Sequence, residues 1–468
     1  MRLLQPVNPT PDQLPILAHH KPGFTLIRGA AGSGKTTAAL LRLRQLCKAR
    51  ISRRERLELI EPVRVLVLTY NRTLEGYVAE LARQQVPDSP GLFLRVNTFG
   101  KWATDLVGYS PVADNARLAR KIKQLGQGIP LDPDFLVNEV DYALGRLHPS
   151  DIDRYLAVKR QGRGQSPRVD TELRKKILDE VITPYLEWKV SDGVRDWHDL
   201  ALDAAEVINP HFQSDVVIVD EAQDFTANQM RAIVRHLAED HSTTFVIDAT
   251  QRIYPRFFAW TEVGVRIPSG ATFPLKRNYR NTKEIAALAR KLVEGLPLED
   301  DGMLPDFEAC QREGDIPTML VGTFSQQVDY ALQTIKATVS MPNESIAFLH
   351  PKGGQWFSFL RRRLREEGIQ WCELTRAEMW PSGSESVALC TIHSAKGLEF
   401  DHVFMLGLNG QVVPQGSDEG DDAGSALRRL VAMGVGRARK TVTIGYKSDD
   451  RPALVQLLDP AAYNEVTL

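Results

Sequence analysis

The chain has 468 residues, 43% hydrophobic and 25% charged, which is room for roughly two to four globular domains and excludes a fibre or a disordered tail. Its formal net charge of −1 removes global basicity as an argument for nucleic-acid binding but leaves room for a local basic track. No run of about 18 apolar residues occurs, and Cys47, Cys310, Cys372 and Cys390 lack CxxC or CxxH spacing, so the reading is a cytoplasmic protein with buried, reduced thiols and no zinc site or disulfide framework.

Met1 to Asn8 lacks the apolar core of a signal peptide. Phe24 to Ile27 predicts a strand and the pattern from Thr37 onward a helix. Between them Gly29-Ala30-Ala31-Gly32-Ser33-Gly34-Lys35-Thr36 fits GxxxxGK[ST], followed by Thr37. Glycines let backbone N–H groups curl around nucleotide phosphates, Lys35 neutralises the outer oxygens, and the Thr36 hydroxyl can ligate Mg²⁺. The segment predicts ATP or GTP as ligand.

Val63 to Thr69 predicts a second strand. From Gly108 to about Trp197 the chain has helical spacing, with Leu178, Ile182 and Tyr185 on one face, and reads as a helical insertion. Within it, Arg154 to Lys176 carries eight Lys or Arg against two acids around the turn Arg160-Gln161-Gly162-Arg163-Gly164. A flexible turn with guanidinium groups suits phosphate contacts, and a solvated helical face is the competing reading. Val216 to Val219 then runs into Asp220-Glu221-Ala222-Gln223-Asp224. A buried β-branched strand ending in two carboxylates places Asp220 to hold Mg²⁺ through water and Glu221 to deprotonate the attacking water. Thr244 to Asp248 completes a first parallel α/β sheet.

A second sheet is predicted from Thr318 to Val321, Ile346 to His350, Val387 to Thr391, Val403 to Leu408 and Thr441 to Tyr446. Gly416 to Gly424 reads as a loop, and Lys447 to Leu468, after the last predicted strand, encodes no nuclease chemistry.

Further motifs follow the carboxylate pair: Phe245 to Tyr254, Lys276-Arg277-Asn278-Tyr279-Arg280-Asn281-Thr282, Thr391-Ile392-His393-Ser394-Ala395-Lys396-Gly397-Leu398-Glu399-Phe400, Arg428-Arg429-Leu430 and Gly434 to Ala438. In order and spacing these resemble the ATPase motifs of superfamily 1A helicases of the UvrD/Rep type, over nearly the whole chain. The resemblance implies an α/β fold of two RecA-like P-loop NTPase domains. The first would span residues 1–108 and 197–268, the helical insertion 109–196, and the second 269–468.

By the same resemblance Gln13, in Asp12-Gln13, reads the adenine edge and favours ATP over GTP. Tyr279 stacks on the base, Glu399 accepts from the ribose, and Gln251 senses the terminal phosphate. Arg280 and Arg437 act as arginine fingers supplied by the second domain. Tyr70, Asn71 and Thr98 are implied contacts to DNA from the first domain, and His393 and Ser394 from the second. The base-stacking tryptophan falls among Phe257, Phe258 and Trp260, with core packing as the alternative. Three departures stand out: Gly436 precedes the arginine finger in place of Thr, Gly100 replaces a common His, and only Trp371 to Trp380 and a loop stand where UvrD and Rep carry a large mobile domain. The implied activity is an ATP-dependent, Mg²⁺-requiring translocase or helicase on single-stranded DNA, with 3′ to 5′ polarity implied by the family subgroup and RNA a second possible track. Alternatives are a weakly unwinding motor subunit beside a nuclease or other protein partner in repair or antiviral defence, and a nucleotide-gated clamp.

Overall fold

The computed structural model describes residues 9–29, 32–70, 72–85, 89–108, 111–158, 169–247, 258–275, 277–296, 310, 312–341, 343–375, 380, 381, 383–410, 412 and 422–468. The first sheet comprises β1 (Gly23–Gly29), β2 (Val63–Thr69), β3 (Leu92–Thr98), β4 (Ser214–Val219), β5 (Leu237–Ile247) and β6 (Thr272–Leu275), in the spatial order β3-β2-β4-β5-β1-β6. Every pairing is parallel. Parallel strands need crossovers, and the helices that supply them bury both sheet faces, so β2 and β4 are nearly continuous Val, Leu and Ile.

The helices of this half are α1 (Leu14–Ala18), α2 (Lys35–Arg56), α3 (Arg72–Gln85), α4 (Phe99–Val107), α5 (Asn115–Leu125), α6 (Pro133–Arg146), α7 (Thr171–Ile177), α8 (Thr183–Ser191), α9 (Trp197–Glu206) and α10 (Ala227–Arg235). Among the described residues, 111–196 contain helices and no strand, and Leu178, Ile182 and Tyr185 are buried in a core of their own. A π-helical turn, Leu178–Ile182, joins α7 to α8. Asn228 of α10 ties the insertion down by donating to the Leu144 and Leu147 carbonyls at 2.9 and 3.2 Å, and Arg146 forks onto Glu262 with two 2.8 Å bonds.

The second sheet has β7 (Thr318–Val321), β8 (Ile346–His350), β9 (Trp371–Glu373), β10 (Val387–Thr391), β11 (Phe400–Met405), β12 (Ala438–Tyr446) and β13 (Asn464–Thr467), ordered β13-β7-β12-β11-β8-β10-β9 and again all parallel. Its helices are α11 (Lys283–Val293), α12 (Phe324–Thr338), α13 (Gln355–Glu366), α14 (Asp422–Val435) and α15 (Ala453–Gln456).

Four strands escape the periodicity. β3 is an edge strand with Phe93 exposed, β6 is short and contains Pro274, β9 has three residues, and β13 closes the far edge. Because β6 pairs with β1, the first sheet runs to Leu275, so its boundary lies beyond residue 268. Cys47, Cys310 and Cys390 are buried, whereas Cys372 is only half-buried. Among the described residues no helix is long and apolar enough to cross a membrane.

Candidate nucleotide site

β1 delivers the chain to the phosphate loop and α2 leaves it with Lys35 as its first residue. Gly32 and Gly34 have φ of +81° and +77°, which only glycine adopts without strain. Gly34 is the N-cap of α2 and supplies no side-chain cap, so the first N–H groups of that helix are left for an anion. Ala30 and Ala31 lie outside the described residues; Gly29, Gly32 and Ser33 are buried, and Lys35, Thr36 and Thr37 are half-buried.

At the end of β4, Asp220 is 2% exposed and its Oδ2 accepts from the Thr36 hydroxyl at 2.9 Å. Burial, and then the adjacent Glu221 carboxylate, push Asp220 up to about 7. A carboxylate so costly to ionise, paired with a hydroxyl at a phosphate loop, has the chemistry of a hard-cation ligand. Glu221 sits at φ 53°, a left-handed conformation rare for a side-chain-bearing residue. Its carboxylate accepts from the Gln223 amide.

The two sheets meet at this point. Lys396, 2% exposed, pairs with Asp224 and stands 3.6 Å from Glu221 Oε2. The segment after β6 folds over the loop: Tyr279 N donates to Gly32 O at 3.0 Å, and Asn278 Oδ1 accepts from Arg280 N and Asn281 N at 3.0 and 3.1 Å. Asn281 donates to the Gly436 and Ala438 carbonyls at 3.2 and 2.5 Å. This turn thus joins phosphate loop to second sheet. Arg280 belongs to it, between β6 and α11. Its guanidinium pairs with Glu399 and donates to Gly436 O at 3.2 Å, while its buried Nε has no partner among the described residues. The hydroxyl of Tyr77, buried on α3, is likewise without a partner, and burial and then Glu399 push it upward. Two orphaned polar atoms near Glu399, one on Arg280 and one on Tyr77, fit a polar ligand there. Arg437 is 2% exposed and donates to the Met433 and Leu398 carbonyls at 3.3 and 3.4 Å. The two arginines are therefore unequal: Arg280 borders the phosphate loop, and Arg437 is anchored on carbonyls of its own domain.

Gln13 is 3% exposed; its amide donates to Gly34 O at 3.1 Å and accepts from Thr10 N at 3.0 Å. One N–H and one lone pair remain for a base. Tyr279 OH bonds Asp12 Oδ2 at 3.3 Å, which sets that ring beside the Gln13 turn.

Tyr70, Thr98, His393 and Ser394 follow or end β2, β3 and β10, at the carboxyl ends of parallel strands where open α/β sheets bind ligands. Thr69 and Thr98 are cross-strand partners, which puts Tyr70 and Thr98 side by side. Tyr70 rests edge-on to Phe225, and Thr98 caps α4 by accepting from Lys101 N at 3.4 Å. Burial, then Lys396, lowers His393, and Ser394 Oγ bonds Thr391 Oγ1 at 2.9 Å. Trp260 is half-buried, its ring packed on Phe245 at 4.7 Å and Phe258 at 5.7 Å, against the first-domain core. Asn71, Arg160, Arg163, Gln251 and Phe257 lie outside the described residues. Of the basic track, Arg174 is spent on the Tyr155, Leu156 and Val158 carbonyls and Lys176 on Gly128 O. Gly100 has a packing reason: a Cβ there would meet the Trp197 ring at 2.8 Å. Sequence reasoning missed the Lys396–Asp224 pair, since both residues lay in motifs but nothing in the chain says they meet.

Residues 15–256 match the AAA domain family, just over half the chain, and residues 373–449 match the UvrD-like helicase C-terminal domain. The chain belongs to the superfamily 1A helicases of the UvrD/Rep type. A probable DNA helicase of Mycoplasma pneumoniae is 20% identical to this UvrD/Rep-type chain over 443 residues, 89% of this chain and 79% of that protein. The ATP-dependent DNA helicase UvrD2 of Mycobacterium tuberculosis is 34% identical over 168 residues, covering 32% of this chain and 24% of that protein. Escherichia coli Rep is 39% identical over 59 residues, 13% and 9% of the two chains. A solved C-terminal domain of a possible DNA helicase from Lactobacillus plantarum aligns with 40% of this chain and 98% of that one, at 20% identity and a TM-score of 0.30. Membership makes the UvrD/Rep-type chain an ATP-hydrolysing DNA helicase.

Proposed function

We propose that the chain moves along single-stranded DNA, 3′ to 5′, by closing and opening the cleft between its two sheets once per ATP hydrolysed. The observation that carries this reading is Lys396. It comes from the second sheet, lies 3.6 Å from Glu221 of the first, and shares a short segment with His393 and Ser394. One stretch of chain thus has a nucleotide-site contact at one end and candidate strand contacts at the other. Relative motion of the sheets then changes both together.

In this scheme Thr36 and Asp220 hold Mg²⁺, which when bound neutralises phosphate charge. The backbone from Gly29 to Thr37, including Ala30, Ala31, Gly32, Ser33 and Gly34, cradles the phosphates, with Lys35 on their outer oxygens. Glu221 takes a proton from the attacking water, oriented by Gln223 and by the charge of Lys396. Arg280 leaves Glu399 for the transferred phosphoryl group while Glu399 turns to the ribose, and Arg437 and Gln251 follow on closure. Tyr279 and Gln13 hold the adenine. Tyr70, Asn71, Thr98, His393 and Ser394 hold the strand, with Arg160 and Arg163 adding phosphate contacts.

The deciding experiment is steady-state ATP hydrolysis by the purified chain, alone and with single-stranded DNA, duplex DNA or single-stranded RNA, using Glu221→Gln as the blank. Strong stimulation by single-stranded DNA is expected; no stimulation by any of the three overturns the motor reading. Strand displacement from duplexes with a 3′ or a 5′ tail tests direction. A second reading, a motor that unwinds weakly without a partner, is favoured by one observation: only residues 374–386 separate β9 from β10. Brisk DNA-stimulated turnover with poor displacement from both tails would support it.

A further inference from the structure

α1 is five residues long, and Ile16 is its one buried side chain. A helix this short has no stability of its own, so its place depends on what grips it. Arg42 does much of the gripping. It lies about two turns along α2 from Lys35, on the same face, and its side chain is 0% exposed. Nη1 donates to Ile16 O at 3.0 Å and to His19 O, Nη2 to Thr25 Oγ1 at 3.2 Å, and Nε to Thr244 Oγ1 at 3.1 Å. Thr25 and Thr244 are cross-strand partners on β1 and β5. One guanidinium thus joins the sheet, α2 and the carbonyls at the carboxyl end of α1, where the helix favours a cation. Burial lowers Arg42 only to about 10, so it stays charged at neutral pH.

The other end of α1 begins at Gln13, whose amide grips Gly34 O, and Gly34 caps the helix that carries Arg42. The bonds close a ring: α2, Arg42, α1, Gln13, Gly34 and back to α2. Asp12 stands just outside it, bonded to Tyr279 OH and 3.7 Å from Arg277 Nε. Every group that α1 brings to the nucleotide site therefore hangs from a helix whose far end is fixed by Arg42.

We infer that Arg42 is a positioning residue for base selection: by locking α1 to the phosphate-loop helix, it holds Gln13 and Asp12 at the register from which a purine is chosen. The inference rests on the ATP-hydrolysing reading above. An arginine that served the core alone would affect stability without affecting which base is preferred.

The test uses the full chain with Arg42→Lys and Arg42→Gln, comparing kcat and KM for ATP and GTP alongside thermal midpoints. Lysine keeps the charge but cannot reach acceptors on both the sheet and α1. One lost or misplaced hydrogen bond to the base corresponds to roughly a 3- to 10-fold effect. KM for ATP should rise by about that factor in Arg42→Gln, with KM for GTP and kcat for ATP nearly unchanged, and Arg42→Lys should fall between it and the parent. A lower thermal midpoint with an unaltered ATP-to-GTP ratio overturns the inference. If Arg42→Gln does not fold, Arg42→Lys decides, and hydrogen exchange across 13–19 accompanies it: unchanged exchange and an unchanged ratio also overturn it. Absence of ATP turnover by the parent chain would instead sink the underlying reading.

Discussion

Two strand-to-helix connections, one in each sheet, solve the same problem in opposite ways. β1 reaches α2 through the loop ending at Gly34, a left-handed N-cap with no side chain to offer. β7 reaches α12 through Gly322 and Thr323, and there Thr323 and Gln326 form a capping box, with bonds of 2.9 Å from Thr323 N and 3.4 Å from Gln326 N. The second helix start is closed by its own side chains at the N-cap and N3 N–H groups, whereas the first has no side-chain cap and leaves its N–H groups for a ligand. Similar strand-to-helix connections thus differ in how much of the helix N-terminus they leave open to an anion.

The largest effects should come from the ligand-holding connection and the carboxylates beside it. Glu221→Gln should keep ATP affinity within a few-fold and lose on the order of 10²–10⁴ in turnover, and Lys35→Ala should lose on the order of 10²–10³ in kcat/KM. Normal hydrolysis by either variant would remove the first sheet's claim to the chemistry. Lys396→Met should lower DNA-stimulated kcat by about tenfold or more while leaving ATP affinity close to the parent's, because it strips a charge that the second sheet lends to Glu221 and Asp224. A change in ATP affinity alone, read by equilibrium titration, would make Lys396 a ground-state contact instead.

Stability changes in the second sheet should be smaller and leave catalysis alone. His350, at the end of β8, accepts from Lys352 N and Gly353 N through Nδ1 at 3.1 and 3.0 Å. Burial, then Lys352, lowers it to about 4. The folded state therefore holds it neutral while the unfolded chain takes up a proton near pH 6.5. Its contribution is present above pH 6.5 and is lost as pH falls toward 4. His350→Asn should flatten that part of a stability–pH curve by roughly 1–3 kcal/mol, as followed by denaturant titration. Thr323→Ala should cost about 1 kcal/mol with KM for ATP unmoved; a shifted KM would show that the capped connection touches the nucleotide after all.

Much of this molecule was legible because its signals are local. β2, β7, β8 and β10 coincide with runs read from the sequence, since a strand buried on both faces must be continuously apolar. Edge strands carry no such mark, which is why β3, β6, β9 and β13 were missed and the first sheet was cut short of Leu275. An exposed and a packed indole are spelled alike in sequence, and only the structure shows the Trp260 ring lying against Phe245. Arg280 and Arg437 looked equivalent in sequence, yet one borders Gly32 while the other is tied to the Met433 and Leu398 carbonyls.

The sequence by itself determined the phosphate loop, the carboxylate pair and the family, because each depends on residue types at fixed short spacing that backbone geometry translates directly into a site. Only the tertiary structure decided that Lys396 meets Asp224, that Arg280 is held by Glu399, and that Arg42 anchors α1. Those contacts join residues far apart in the chain, and their existence depends on how two sheets and a short helix pack, a property of summed burial that no local pattern encodes.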